Sequence, residues 1–328
     1  MNDQMIRAQS EAAYKQWCVQ WREHAKEHSK YPQKNLRDFE NIGVGKAVLC
    51  VANGYSLEEN IETIQKNQHN IDILCCDKTL GILLDHGITP TYCMVCDANV
   101  DYEKYMKPWE DKLEDTILFI NACANPKWSE NGNWIDKYFF INKDIIKSEQ
   151  EFSQLSGCKN FIPAGTNVSN AMVIFLTQSD NLGRKNFFGY DKILLIGYDY
   201  SWKHDGKYYA FNEDGDGKAH YMRHSFVITP SGKFGYTSGN LSFSCEWLKK
   251  YILTFRLPIV QCSEDSMLDF NMTRSLSSQI NYEHKKEDRN LVQKLTHDLN
   301  KAIMIKDKIA KRLNQIGQEH WSAFVQSV

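Results

Sequence analysis

Several things are missing from this 328-residue sequence, and each absence excludes something. There is no excess of charge. The 39 Lys and Arg face 41 Asp and Glu for a formal net charge of −2, so no whole-molecule attraction draws the chain to nucleic acid or an anionic membrane. There is no apolar run near the ~18 residues that span a bilayer. The start, MNDQMIRAQSEAAYK, has neither the apolar stretch nor the small-residue cleavage site of a secretory signal, so a cytoplasmic location without a membrane span is expected. The chain also lacks both GxGxxG and GxxxxGK[ST], which weighs against a nicotinamide enzyme and against a P-loop kinase.

Cysteine is not scarce, with ten residues, but five of them (Cys50, Cys75, Cys76, Cys93 and Cys96) sit in apolar strand-like runs, where a reduced thiol acts as a small hydrophobe. Cys93 and Cys96 form a CxxC with no second close pair. On a strand, residues three apart point to opposite faces, which disfavours a zinc site.

What is present is an alternation of apolar runs with helical periodicity. Asp3 to about His28 reads as an amphipathic helix with Ile6, Tyr14, Trp17 and Trp21 at helical spacing, ended by Tyr31-Pro32. Strands follow at Lys46–Ala52, Ile71–Cys76, Tyr92–Cys96, Thr116–Asn121, Tyr138–Ile141, Lys192–Gly197 and Pro258–Cys262. Helices are expected at Leu57–Gln65, from Asp77 to Gly87, after Asn167 and over Cys245–Phe255. Continuous apolar strands between helices imply a parallel sheet covered on both faces, an α/β, Rossmann-like, doubly wound fold. The expected division is a helical segment over 1–40, the Rossmann-like domain over 41–265 and a C-terminal helical segment over 266–328. In that last segment Leu295, Leu299, Ala302, Ile305, Ile309, Leu313 and Ile316 are spaced as a helical stripe, either a homodimer seam or a face docked on the chain itself. Residues 201–239 have little periodicity and read as a long loop.

In an open parallel sheet, ligands bind where the strands end. Asn53, Gly54 and Ser56 follow the first strand, Asp77 the second, Asp97 and Asn99 the third, and Asp199 follows Ile196-Gly197. Gly165, Thr166 and Asn167 occupy another helix entrance. The turns at Gly54 and at Gly165 could each offer unsatisfied first-turn amides to a phosphate, or could be ordinary capped turns. Asp97-Ala98-Asn99 is a loose DxD, a candidate ligand for a divalent ion. Asn212 to Gly217 begins like a calcium loop, but Arg223 stands where the bidentate Glu belongs, which argues against an EF-hand. His204, His220 and His224, with Tyr208, Tyr209 and Arg223, are candidates for a general base and for anion contacts.

VLCVANGYSLEENI, CCDKTLGILLDHGITPTYCMVCDAN, GTNVSNAMVIFLTQ and ILLIGYDYSWKHDGKYYAF resemble, in order and spacing, the MptE-like family, which includes motility accessory factor glycosyltransferases and archaeal hydroxymethylpterin diphosphokinases. The resemblance covers roughly residues 40 to 265. It implies a Rossmann-like domain related to bacterial sialyltransferases with a strand-NGPSL-helix start. In those enzymes the Asn-Gly turn meets the nucleotide phosphate, a role that would fall to Asn53, Gly54 and Ser56. Asp97 and Asp199 match acidic strand ends of the family. Two positions depart from the pattern: Tyr55 replaces the usual Pro, and Tyr209 stands before Ala210 where a His is common. The catalytic candidates are then His204, His220, Tyr209 and Asp199.

The resulting expectation is a nucleotide-sugar-dependent glycosyltransferase, with Mg or Mn as a candidate ion at Asp97. The acceptor, whether protein, glycan or modified DNA base, is left open. Lys203, Lys207, Lys218, Arg223 and Lys233 make the long loop basic enough for DNA, or simply well solvated. The alternatives are a magnesium-dependent diphosphokinase using ATP and a non-catalytic nucleotide-binding scaffold.

Overall fold

The structure, a computed structural model, describes residues 3–143, 146–163, 165–177, 187–203, 209–212, 225–269 and 274–280. The expected C-terminal stripe from Leu295 to Ile316, and the candidates His204 and His220, lie outside these residues. The strands are β1 (Ala47–Val51), β2 (Asp72–Cys76), β3 (Tyr92–Val95), β4 (Ile117–Asn121), β5 (Asp136–Lys143), β6 (Phe161–Pro163), β7 (Lys192–Ile196), β8 (Trp202–Lys203), β9 (Ser225–Ile228), β10 (Phe234–Thr237) and β11 (Ile259–Gln261). The helices are α1 (Asp3–His28), α2 (Ser56–Asn67), α3 (Asp77–Asp85), α4 (Tyr102–Tyr105), α5 (Lys127–Glu130), α6 (Ile146–Ser156), α7 (Val168–Thr177) and α8 (Gly239–Phe255).

Eight strands form one sheet in the order β11-β7-β1-β2-β3-β4-β5-β6, with every neighbouring pair parallel. Both faces are buried, which explains the unbroken apolar runs. Leu49, Val51, Ile73, Cys75, Cys93 and Val95 point to the face covered by α2 and α3. Val48, Cys50, Leu74, Cys76 and Met94 point to the face covered by α7 and α8. Each fully buried aliphatic side chain here contributes roughly 1.5–3 kcal/mol of transfer free energy. Cys93 and Cys96 fall against opposite clusters, as the strand period requires, and no cysteine is in a disulfide among the described residues.

Local chemistry sets the helix ends that matter for the site. Thr79 closes a capping box at the start of α3, its hydroxyl oxygen accepting from Cys76 N at 3.1 Å, and Gly87 at φ +67 ends that turn of chain. Asn167 caps α7, its Oδ1 accepting from Asn170 N at 2.9 Å.

Two expectations change. Residues 201–239 are not wholly irregular: β8, β10 and β9 pair as a separate antiparallel sheet, whose strands of two to four residues carry no long apolar run to betray them. β6 and α6 were not anticipated, because β6 is three residues long and ends on Pro163. No helix among the described residues is long and apolar enough to cross a membrane.

The strand order reverses between β1 and β7, and there the two following loops touch. Gly54 N donates to Gly197 O at 3.0 Å, and Gly197 N donates to Ser56 Oγ at 2.9 Å. Gly197 has φ +76, and a Cβ there would stand 1.9 Å from Ala52 O. Gly197→Ala is therefore expected to destabilise the protein by roughly 2 kcal/mol or more, seen as a lowered thermal midpoint. An unchanged midpoint would contradict this account of the crevice.

Candidate functional site

A cavity of about 600 Å³ runs along the carboxyl edge of the sheet, within the size range of small-molecule sites. Its wall is built from the ends of five consecutive strands: Asn53 and Gly54 after β1, Asp77 and Lys78 after β2, Asp97 and Ala98 after β3, Asn121 and Cys123 at β4, and Ile141 and Asn142 of β5. Gly165, Thr166, Asn167 and Ser169 at the start of α7 face the same space, as do Tyr198, Tyr200 and Tyr209. Ala13 and Trp21 of α1, with Ser148 and Phe152 of α6, close its far end.

The structure thus brings together Asn53, Gly54, Asp77, Asp97, Gly165, Thr166, Asn167 and Tyr209. Ser56 and Asp199 do not line this cavity. The Ser56 amide, read from sequence as open to a phosphate, donates to Asp199 Oδ2 at 2.8 Å, and the Gly54 amide is spent on Gly197 O. A Cβ on Gly54 would lie 2.3 Å from that same Asp199 oxygen. The N-terminus of α2 is therefore occupied by the chain's own carboxylate, as the helix dipole favours.

The start of α7 is different. Asn167 satisfies the third-turn-position amide at Asn170, and Asn167 O accepts from Ala171 N. The Val168 and Ser169 amides have no acceptor among the described residues. Gly165 is needed there, because a Cβ would meet Ala171 N at 2.6 Å. Thr166 Oγ1 accepts from Asn170 Nδ2 at 2.7 Å, and Asn170 Oδ1 accepts from Tyr200, so the entrance is braced from the β7 side.

Tyr209 is set by its neighbour: Ala210 N donates to Asn53 O at 3.1 Å. The Lys78 ammonium lies 5.1 Å from the Tyr209 ring centre and 5.4 Å from that of Tyr105, a cation held at the cavity by aromatic faces. Asn53 is 8% exposed and its Oδ1 has no partner; Asn142 Oδ1 is likewise buried and unpartnered. Such atoms are costly in a protein interior unless a ligand or water satisfies them.

Two buried carboxyls have different surroundings. Burial pushes Asp77 up to about 7, against the pull of the Lys78 amide and ammonium, and the nearby Asp97 adds to the rise. Its Oδ1 accepts from Lys78 N at 2.7 Å. Burial also raises Asp199, to about 6, opposed by bonds from Ser56 and Ser263. Asp97 is exposed, with Oδ1 accepting from Asn99 N. No group of three or more His, Cys, Asp or Glu converges among the described residues. Of the loop cations, Lys203 is paired with Glu59 and Lys233 with Asp265, while Lys207, Lys218 and Arg223 lie outside the described residues.

Sequence reasoning missed Asn142, although it directly follows an expected strand and the strand-end rule applies to it. Trp21, Ser148 and Phe152 carried no signal, because only the packing of α1 and α6 over the sheet edge brings them to the cavity.

Fold and cavity together define an α/β protein of the doubly wound parallel class, with a ligand-sized space at the carboxyl edge. The family model described as 6-hydroxymethylpterin diphosphokinase MptE-like matches residues 22–205, more than half of the chain, and the chain belongs to that family. Among solved structures, the chain is similar to that of the MAf glycosyltransferase from Magnetospirillum magneticum AMB-1, with a TM-score of 0.52 and 16% identity. That likeness covers 83% of this chain and 42% of the other, so this chain spans less than half of that protein's length, and at this identity the likeness speaks to fold. No curated protein matches the chain in sequence.

The Asp77 geometry has a pH consequence. A carboxyl raised from 3.8 to about 7 holds its proton more tightly folded than unfolded, so its contribution to stability falls as pH climbs through that window and is fully lost above it. Asp77→Asn should then raise the thermal midpoint at pH 8, by an amount worth up to about 4 kcal/mol, and leave it nearly unchanged at pH 4. An equal difference at both pH values would contradict this.

Proposed function

We propose that the protein transfers a sugar from a nucleotide donor to an acceptor hydroxyl, with the donor lying in the edge cavity. The observation that carries this reading is the meeting, in one space, of the open α7 N-terminus and the buried Asp77 carboxyl. The Val168 and Ser169 amides supply donors and a positive helix end for the donor's phosphates, whose negative charge grows as the leaving group departs. Asp77, in its ionised form, accepts the proton of the acceptor hydroxyl. The acceptor oxygen forms its bond to the anomeric carbon while the bond from that carbon to the phosphate oxygen breaks, releasing the nucleotide with the electron pair.

Asn53 supports the same end of the cavity with an amide that has an unspent acceptor. Tyr209, beside Lys78, is a second group able to meet the acceptor. Asp199 positions α2 instead of touching the donor. A magnesium or manganese ion, if bound, would be held by the exposed Asp97 carboxylate together with phosphate oxygens and water, and would offset leaving-group charge. The acceptor's identity, protein, glycan or modified DNA base, lies beyond this reading.

The family description favours a second reading, transfer of diphosphate from ATP to a small hydroxymethyl compound. Titration and turnover with a panel of nucleotide sugars, and with ATP plus Mg²⁺, separate the two. The first reading expects binding and slow hydrolysis of at least one nucleotide sugar, with Asp77→Asn lowering kcat about 100-fold or more while donor affinity changes little. The wild-type rate should rise with pH through about 7. No binding of any nucleotide sugar, with AMP released from ATP in the presence of a hydroxymethyl compound, would replace it with the second.

A further inference from the structure

The cavity has two unlike ends. At β1 and β2 it is polar, with Asn53, Asp77, Lys78 and Tyr209. At β5 it is bounded by Ile141, Phe152, Trp21 and Ala13, with Ser148 beside them, and Asn142 Oδ1 is a buried acceptor there with no partner among the described residues. Four strand spacings separate β1 from β5, about 19 Å at ~4.8 Å each, a length that accommodates an extended nucleotide. The start of α7 opens on the same cavity.

The apolar end is firmly built. Trp21 and Phe152 meet edge to face with ring centres 6.2 Å apart. Tyr14 donates to Glu151 at 2.7 Å and Arg22 pairs with the same carboxylate, tying α1 to α6. One turn further along α1, His24 and His28 bond the carbonyls of Cys123 and Ala122 at 3.0 and 2.8 Å, so the helix is fastened to the end of β4 as well. A flat apolar ring with a polar edge suits a wall of this kind: its faces gain from indole and phenyl contact, and its edge N–H satisfies the waiting amide oxygen.

We infer that the donor's nucleobase lies at the β5 end of the cavity beneath α1, with an N–H on its edge donating to Asn142 Oδ1, so that the transferable sugar lies at the β1 and β2 end. The ligand class is a nucleobase presenting an N–H donor, and Asn142 and Trp21 are the residues that hold it. This placement presupposes the nucleotide donor and adds its direction in the site.

The test is titration of the full chain with CMP, UDP, GDP, ADP and inorganic diphosphate, followed by affinity and tryptophan fluorescence, in wild type, Asn142→Ala and Trp21→Phe. The nucleotide that binds wild type most tightly should bind Asn142→Ala about tenfold or more weakly, since a buried partner is removed. Inorganic diphosphate, which has no base, should bind both within twofold, and the fluorescence change caused by the nucleotide should largely vanish in Trp21→Phe. Nucleotide affinity within twofold of wild type in Asn142→Ala, or a full fluorescence change in Trp21→Phe, overturns the placement while leaving the donor reading intact. Failure of every nucleotide to bind wild type overturns the donor reading and the placement together. Should Asn142→Ala also lose inorganic diphosphate, the Trp21→Phe arm decides alone.

Discussion

The contact on which the site depends is the clasp between the loops after β1 and β7. Asp199 reaches from one side of the point where strand order reverses to the Ser56 amide on the other, Gly54 donates to Gly197 O, and Gly197 donates back to Ser56 Oγ. Ligands of open α/β sheets commonly enter such a crevice. Here the Gly54 and Ser56 amides are bonded to protein, while Gly54, Gly197 and Tyr198 still line the cavity. A buried carboxylate already stabilises the positive end of α2, and the glycines at 54 and 197 let the loops approach too closely for any side chain. The cavity extends from these loops along the edge to β5, and the start of α7 opens on it.

The clasp also explains why two buried aspartates are not equivalent. Asp199 is 1% exposed and Asp77 is 2% exposed, and burial raises both. Asp199 accepts from the Ser56 amide through Oδ2, leaves Oδ1 buried without a partner among the described residues, and is absent from the cavity wall. Asp77 faces the cavity and holds only the adjacent Lys78 amide in the hydrogen bonds made by its side chain among the described residues. A group that changes protonation near neutrality and faces a cavity is suited to proton transfer.

Much of this fold could be read from residues alone, for a physical reason. Strands buried on both faces must be apolar throughout, so β1 to β5, β7 and β11 announce themselves as runs such as Ala47–Val51 and Lys192–Ile196, and the parallel architecture follows. β6, and the small sheet of β8, β9 and β10, escaped because short strands with exposed side chains, such as Phe226 and Ile228, carry no such run. The strand-end rule found Asn53, Asp77 and Asp97 because it needs only order along the chain. It left the Gly54 and Ser56 amides open between a phosphate site and an ordinary capped turn, because their acceptors sit more than 140 residues later, at Gly197 and Asp199. Trp21 was legible as an apolar-face residue of α1, and its place at the edge cavity is a tertiary fact that no local pattern holds.

The central claim is that phosphate charge is received at the start of α7 and not at the start of α2. An experimental structure of the protein soaked or co-crystallised with a nucleoside diphosphate tests it most directly. The account expects phosphate oxygens within hydrogen-bonding distance of the Val168 and Ser169 amides, with the bond from Ser56 to Asp199 intact. Phosphate seated on the Gly54 and Ser56 amides, with Asp199 swung away, would contradict it.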